Sequence, residues 1–296
     1  MPKVSPLAPE GGFPHLPAVR GVTFASVAAG VRYHGRDDVM LAHLAPGTTV
    51  AGVFTKSATR AAPVLDCQAK LGGDSAGGAA ILVNSGNANA FTGTRGIEAV
   101  RSITEAVADA TGVSQARVFT ASTGVIGEPL PHDRITAQLA ELAQDLDPGG
   151  IARAAGAIMT TDTFAKGSVR TVEIGSQTVT IAGIAKGSGM IAPDMATMLV
   201  YVFTDAAIRF EALQPMVAEL SDRTFNSITV DSDTSTSDTL LVCATGASGV
   251  DATGDAGFEA ALHSVMLELA HQVVRDGEGA TKFVEIRVTG ARDGAD

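Results

Sequence analysis

The chain has 296 residues, room for one large domain or two ordinary ones. Its formal charge is −11, from 21 Lys+Arg against 32 Asp+Glu. That argues against a nucleic-acid or anionic-membrane surface, since both need clustered positive charge. Hydrophobic residues make up 45% but aromatics only 4%, and Trp is absent, so the core must be built from Val, Ile, Leu and Ala. Cys67 and Cys243 have no neighbouring Cys or His and read as small buried side chains, not as a disulfide framework or zinc site. The first residues carry no basic-then-apolar signal pattern and no apolar run reaches membrane-span length, so a soluble cytoplasmic protein is expected.

In chain order, residues 1–20 are Pro-rich and read as extended. Short strands are expected at 22–31, 39–44 and 49–55, and a polar, basic turn at 55–64. Residues 79–83 form an apolar run of buried-strand type, ending in the asparagine-rich 84–90. That string reads either as an Asx-rich turn or as site residues at a strand end. Ile97, Val100, Ile103 and Val107 repeat at helical spacing, with Gly112 as a fitting C′ residue. A strand at 118–120 leads into Ser122-Thr123-Gly124, where a hydroxyl and an unobstructed backbone N–H suit an oxyanion. Residues 133–146 read as one amphipathic helix, and Asp147-Pro148-Gly149-Gly150 as the most plausible internal boundary. A short Ala-rich helix at 151–159 precedes the hydroxyl run at 160–163, and 169–181 alternates as a hairpin around Gly175-Ser176.

The hairpin delivers the chain into a Lys186-Gly-Ser-Gly loop, which runs through Pro193 to Thr197 at the mouth of an apolar strand, 198–203. A hydroxyl held at a strand mouth beside a flexible loop has the geometry of a nucleophile. A helix with apolar Ile208, Phe210, Leu213, Val217 and Leu220 follows. The acid- and hydroxyl-rich string 231–239 fails as a calcium loop, because Thr236 stands where Gly is needed and Val242 where Glu is needed. A strand at 240–244, a long helix at 258–274, a glycine-flanked Glu278 and an alternating strand at 283–288 complete the chain.

The string from Lys186 to Leu199, Lys-Gly-Ser-Gly-Met-Ile-Ala-Pro-Asp-Met-Ala-Thr-Met-Leu, closely resembles the self-cleavage segment of the ornithine acetyltransferase family, the bifunctional glutamate N-acetyltransferases of arginine biosynthesis. Six further strings resemble that family, among them 84–90, 122–124, 159–163 and 276–282. The resemblance implies scission between Ala196 and Thr197, giving a 1–196 α chain and a 197–296 β chain headed by its nucleophile. It implies Thr123 and Gly124 as the oxyanion pair. Thr160 (with Thr161 as the alternative), Lys186, Thr197 and Glu278 are implied as substrate contacts. No metal or cofactor is implied, while acetyl-CoA stays open as a second acetyl donor. The implied substrates are N-acetylornithine and glutamate, and the implied assembly has two α and two β chains. The implied fold is α/β, layered sheets sandwiched between helices, of the self-cleaving N-terminal-nucleophile type. Charge agrees on its own: Lys186 suits a substrate carboxylate and Glu278 a side-chain amine. Family members continue past 283–288 with a segment that supplies an asparagine and a threonine, and nothing in this sequence matches it. A related self-processing aminopeptidase or amidase, and a non-catalytic remnant, are the other readings.

Overall fold

The structure is a computed structural model that describes residues 3–192 and 198–290. Nine strands form two sheets among the described residues. β1 (Val22–Val27), β2 (Val39–Leu44), β4 (Ala79–Asn87) and β5 (Val118–Val125) make the first sheet, in that order. The second has the order β3-β9-β8-β7-β6, from β3 (Thr49–Phe54), β6 (Lys166–Ile174), β7 (Gln177–Lys186), β8 (Leu199–Thr204) and β9 (Thr239–Ala244). The β4–β5 and β8–β9 pairs are parallel and the others antiparallel.

Side-chain alternation explains the layering. On β8, Leu199, Tyr201 and Phe203 join the core between the sheets, while Val200 and Val202 join a second core on the outer face. On β2, Met40, Ala42 and Leu44 face inward, and Val39 and Leu41 belong to the outer cluster of the first sheet. A strand buried on both faces needs no polar residues, hence the continuous apolar runs in the sequence. Phe24 meets Phe203 edge to face across the middle layer at 5.1 Å, worth about 1 kcal/mol beyond burial.

Helices cover the outer faces. α2 (Thr94–Thr111), α3 (His132–Thr136) and α4 (Leu139–Gln144) cover the first sheet. α6 (Phe210–Asp222) and α7 (Ala256–Arg275) cover the second. The short helices α1 (Ala62–Lys70) and α5 (Ile151–Ala157) contribute to the middle layer. The order is helices, sheet, sheet, helices, as the resemblance implied.

Five local expectations are corrected. Residues 133–146 form two helices, not one: Gln138 donates to Ile135, three residues back, which tightens the turn between them. Residues 55–64 contain the start of α1, signalled by Pro63 in its first turn. β1 stops at Val27, short of residue 31. Residues 147–150 are no domain boundary: Phe24 and Asp147 exchange backbone hydrogen bonds, both 2.9 Å, which ties the segment to β1. Residues 283–288 form no strand; Val284, Ile286 and Val288 are 70%, 85% and 80% exposed, because alternation makes a strand only where a neighbour completes the ladder. β4 and β5 also run further than expected, so 84–87 and 122–125 are sheet residues at the ends of a parallel pair.

Candidate active site

Strand ends in layered α/β proteins collect chemistry because loops leave there while the sheet holds their roots. At the end of the β4–β5 pair, Ser85 lies opposite Thr123 and Gly86 opposite Gly124. Gly124 has φ +130°, and a Cβ there would lie 2.7 Å from the Asn87 backbone nitrogen, so only glycine fits. Thr123 is buried beside it.

Lys186, the last residue of β7, reaches the same place. Its Nζ donates to Thr160 Oγ1 at 2.8 Å and to Thr123 Oγ1 at 3.2 Å. Three segments therefore converge: Thr123 from β5, Thr160 after α5, and Lys186 from β7. The Lys186 ammonium is buried and has no carboxylate at ion-pair distance among the described residues. Burial pulls its pKa down, opposed by Asp162, Asp238 and Glu278. Thr123 accepts from Lys186, which leaves its own O–H free to donate to an oxyanion.

Asp162 sets the positions of the other two. Its Oδ2 accepts the Thr160 N–H at 3.0 Å and its Oδ1 accepts the Gly187 N–H at 2.7 Å. Lys166, fully buried, bridges Asp162 at 2.7 Å and Asp276 at 2.5 Å. Burial works to raise the Asp162 carboxyl, but Lys166, Lys186 and the hydrogen bonds outweigh it and hold it well below the usual carboxylate range. Asp276 also accepts the Thr163 N–H, and it precedes the Glu278 loop. The Glu278 N–H donates to Ser188 O at 2.8 Å, and its carboxylate lies over Gly189, where a Cβ would come within 2.8 Å of Oε1. A cleft of about 670 Å³ is lined by Thr161, Ser188, Glu278 and the amino-terminal Ser5 among others.

The expected Thr123, Gly124, Thr160 and Lys186 thus gather at one strand end, with Glu278 exposed on the cleft wall; Thr161 lines that cleft. Ala196 and Thr197 lie outside the described residues. The asparagines of 84–90 serve structure. Asn84 donates to Asn87 O and accepts from Ser122 Oγ, Asn87 donates to Glu128 O, and Asn89 donates to Gly96 O. They fix the strand end from which Thr123 emerges. Sequence reasoning assigned no role to the Lys166–Asp276 pair, whose partners stand 110 residues apart.

Two facing sheets between helices, with a buried lysine and hydroxyls at the strand ends, define a four-layer α/β protein with a polar strand-end site. A protein from Pyrococcus horikoshii, 11% identical, shares this fold with a TM-score of 0.52, covering 88% of this chain and 85% of that one. The sequence profile of the ArgJ family matches residues 23–296, and the chain belongs to that family. The arginine biosynthesis bifunctional protein ArgJ of Ruegeria pomeroyi is 70% identical over 294 residues, covering 99% of this chain and 72% of the relative. That of Nitrobacter winogradskyi is 52% identical over 299 residues, covering 97% and 72%. Among solved structures, ornithine acetyltransferase from Mycobacterium tuberculosis, complexed with ornithine, is 37% identical with a TM-score of 0.52. The match covers 60% of this chain and 93% of that one. The Bacillus halodurans ArgJ structure is 34% identical with a TM-score of 0.56, covering 60% and 92%.

Proposed function

We propose that this chain is a glutamate N-acetyltransferase of arginine biosynthesis that moves acetyl from N-acetylornithine to glutamate through an acetyl-Thr197 intermediate. The observation that carries the reading is the convergence of Lys186, Thr123 and Thr160 at the strand end, from which the chain leaves eleven residues before Thr197. Membership of the ArgJ family supports it, as does the ornithine held by the Mycobacterium tuberculosis relative.

The chemistry begins with self-cleavage. The Thr197 hydroxyl attacks the Ala196 carbonyl carbon, the C–N bond breaks, and the hydroxyl proton ends on the departing nitrogen. Water then hydrolyses the ester, leaving the Ala196 carboxylate and a Thr197 with free hydroxyl and amine. That amine becomes the base for the next step. Thr197 takes acetyl from N-acetylornithine, ornithine leaves with the proton, and the glutamate amine attacks the ester to regenerate the hydroxyl. Thr123 O–H and the Gly124 N–H meet the oxyanion, Lys186 and Thr160 engage the amino-acid carboxylate, and Glu278 engages the ornithine side-chain amine. No metal or cofactor takes part. Both solved relatives are matched over more than nine-tenths of chains that cover only 60% of this one, so each is about two-thirds of this length, as residues 1–196 are. The reading includes cytoplasmic residence and an assembly of two α and two β chains.

Intact mass spectrometry tests scission: two fragments meeting at Ala196–Thr197 are expected, and a single uncut chain for Thr197→Ala. Incubation with N-acetylornithine and labelled glutamate should give labelled acetylglutamate. Acetate alone would make the protein a hydrolase instead, and a parallel arm with acetyl-CoA identifies the range of donors.

A further inference from the structure

The string 231–239 has no part in the chemistry above, yet its two ends hold the two flanks of the junction. Asp231 Oδ2 accepts the Met190 N–H at 2.6 Å and its Oδ1 accepts the Ile191 N–H at 2.9 Å. The Val230 N–H donates to Ile191 O at 2.9 Å. On the far flank, Asp238 Oδ1 accepts the Met198 N–H at 2.7 Å, and the Thr239 N–H donates to Met198 O at 3.2 Å. Ile191 and Met198, which bracket the junction, are therefore both fixed by one short stretch of chain. Met190 holds φ +55°, a left-handed conformation that a non-glycine residue keeps only when its surroundings impose it.

The two carboxyls differ. Asp231 is exposed and uses both oxygens on backbone amides. Asp238 is fully buried, and its Oδ2 has no hydrogen-bond partner among the described residues. A bare buried carboxylate oxygen costs far more than a protonated one. Burial accordingly lifts the Asp238 carboxyl well above its usual range, against the Met198 N–H and Lys186.

We propose that Asp231 and Asp238 are positioning residues for self-cleavage: together they fix both flanks of the Ala196–Thr197 bond, and that restraint sets the rate of scission. The proposal rests on the scission reading above. The two differ after the cut. Asp231 then holds the tail of the first fragment and the Asp233 N–H of its own loop, while Asp238 still holds the residue next to Thr197. Asp231 therefore matters chiefly for maturation, and Asp238 for maturation and transfer both.

The test follows freshly translated full-length chain over time, scoring the fragment that starts at Thr197 by mass spectrometry. Displacing a reacting group by about 1 Å can cost roughly 100-fold in rate, which sets the scale for both alanine variants. Asp231→Ala and Asp238→Ala should slow scission roughly 10- to 100-fold. Asparagine variants keep the shape and separate this from misfolding. Asp238→Asn still accepts from Met198 and should cut within about threefold of wild type. Asp231→Asn has one acceptor oxygen for three backbone amides, of Met190, Ile191 and Asp233, and should be slowed about tenfold. Once cut, Asp231→Ala should transfer acetyl with a kcat nearer to wild type than that of Asp238→Ala. If wild type itself is never cut, the scission reading fails and this one with it. If wild type is cut and the alanine variants keep pace with it, the clamp is wrong while scission stands. If Asp238→Asn is as slow as Asp238→Ala, the acid itself is needed and a positioning role is overturned.

Discussion

Lys186 is a buried ammonium whose two described partners are hydroxyls. Such a group is costly to bury unless a charged ligand completes it, so it favours an anionic guest. Thr123, accepting from it, is left with one proton to give. On the proposed mechanism Thr123→Ala should lower kcat roughly 10²- to 10³-fold, about 2.7–4 kcal/mol, as loss of one oxyanion donor does, with scission and transfer measured separately. Residue types at 122–124 were legible as an oxyanion candidate, and the roles themselves came from the resemblance. What the sequence could not show was the meeting of Lys186 with residues 63 and 26 positions away, because such a contact is made by packing two sheets and leaves no spacing to read.

The triad of Asp162, Lys166 and Asp276 joins the start of β6 to the end of α7. Removing the shared cation strands two buried carboxylates, so Lys166→Ala should lose about 3–5 kcal/mol in denaturant unfolding, and Asp276→Ala less, because Asp162 still pairs with Lys166. Most strands and long helices could be read in advance, since burial on both faces gives unbroken apolar runs and burial on one gives helical periodicity. The failures share a cause. At 283–288 the alternation is present but no neighbouring strand is described, and at 133–146 the period is continuous while a single three-residue hydrogen bond breaks the helix. Helix α1 was missed because its apolar face is only Val64, Cys67 and the ring of Pro63. Pairing and local hydrogen-bond choices are made by tertiary structure, which periodicity does not encode.

At the scale of the whole molecule, the middle layer encloses both cysteines, and burial pushes each thiol up to about 12 from 9.0. A raised thiol pKa favours the folded state below the unfolded value and loses that advantage as pH climbs. Stability should hold up to about pH 9 and then fall towards pH 12, by up to about 1.4 kcal/mol per pH unit for each thiol. Urea titrations across that range check it, with a shallower slope expected for Cys67→Ala. The second sheet has a consequence of a different kind. Its central strand, β8, lies after residue 196 and is laced on one side to β7, which lies before it, while β9 is laced to β3. Two pieces parted at that point would stay knitted together, and nothing about the native state would betray the break. Melted, though, they would have to find each other by diffusion, so recovery would slow with dilution. A chain so parted would be assembled as one molecule and rebuilt only as two.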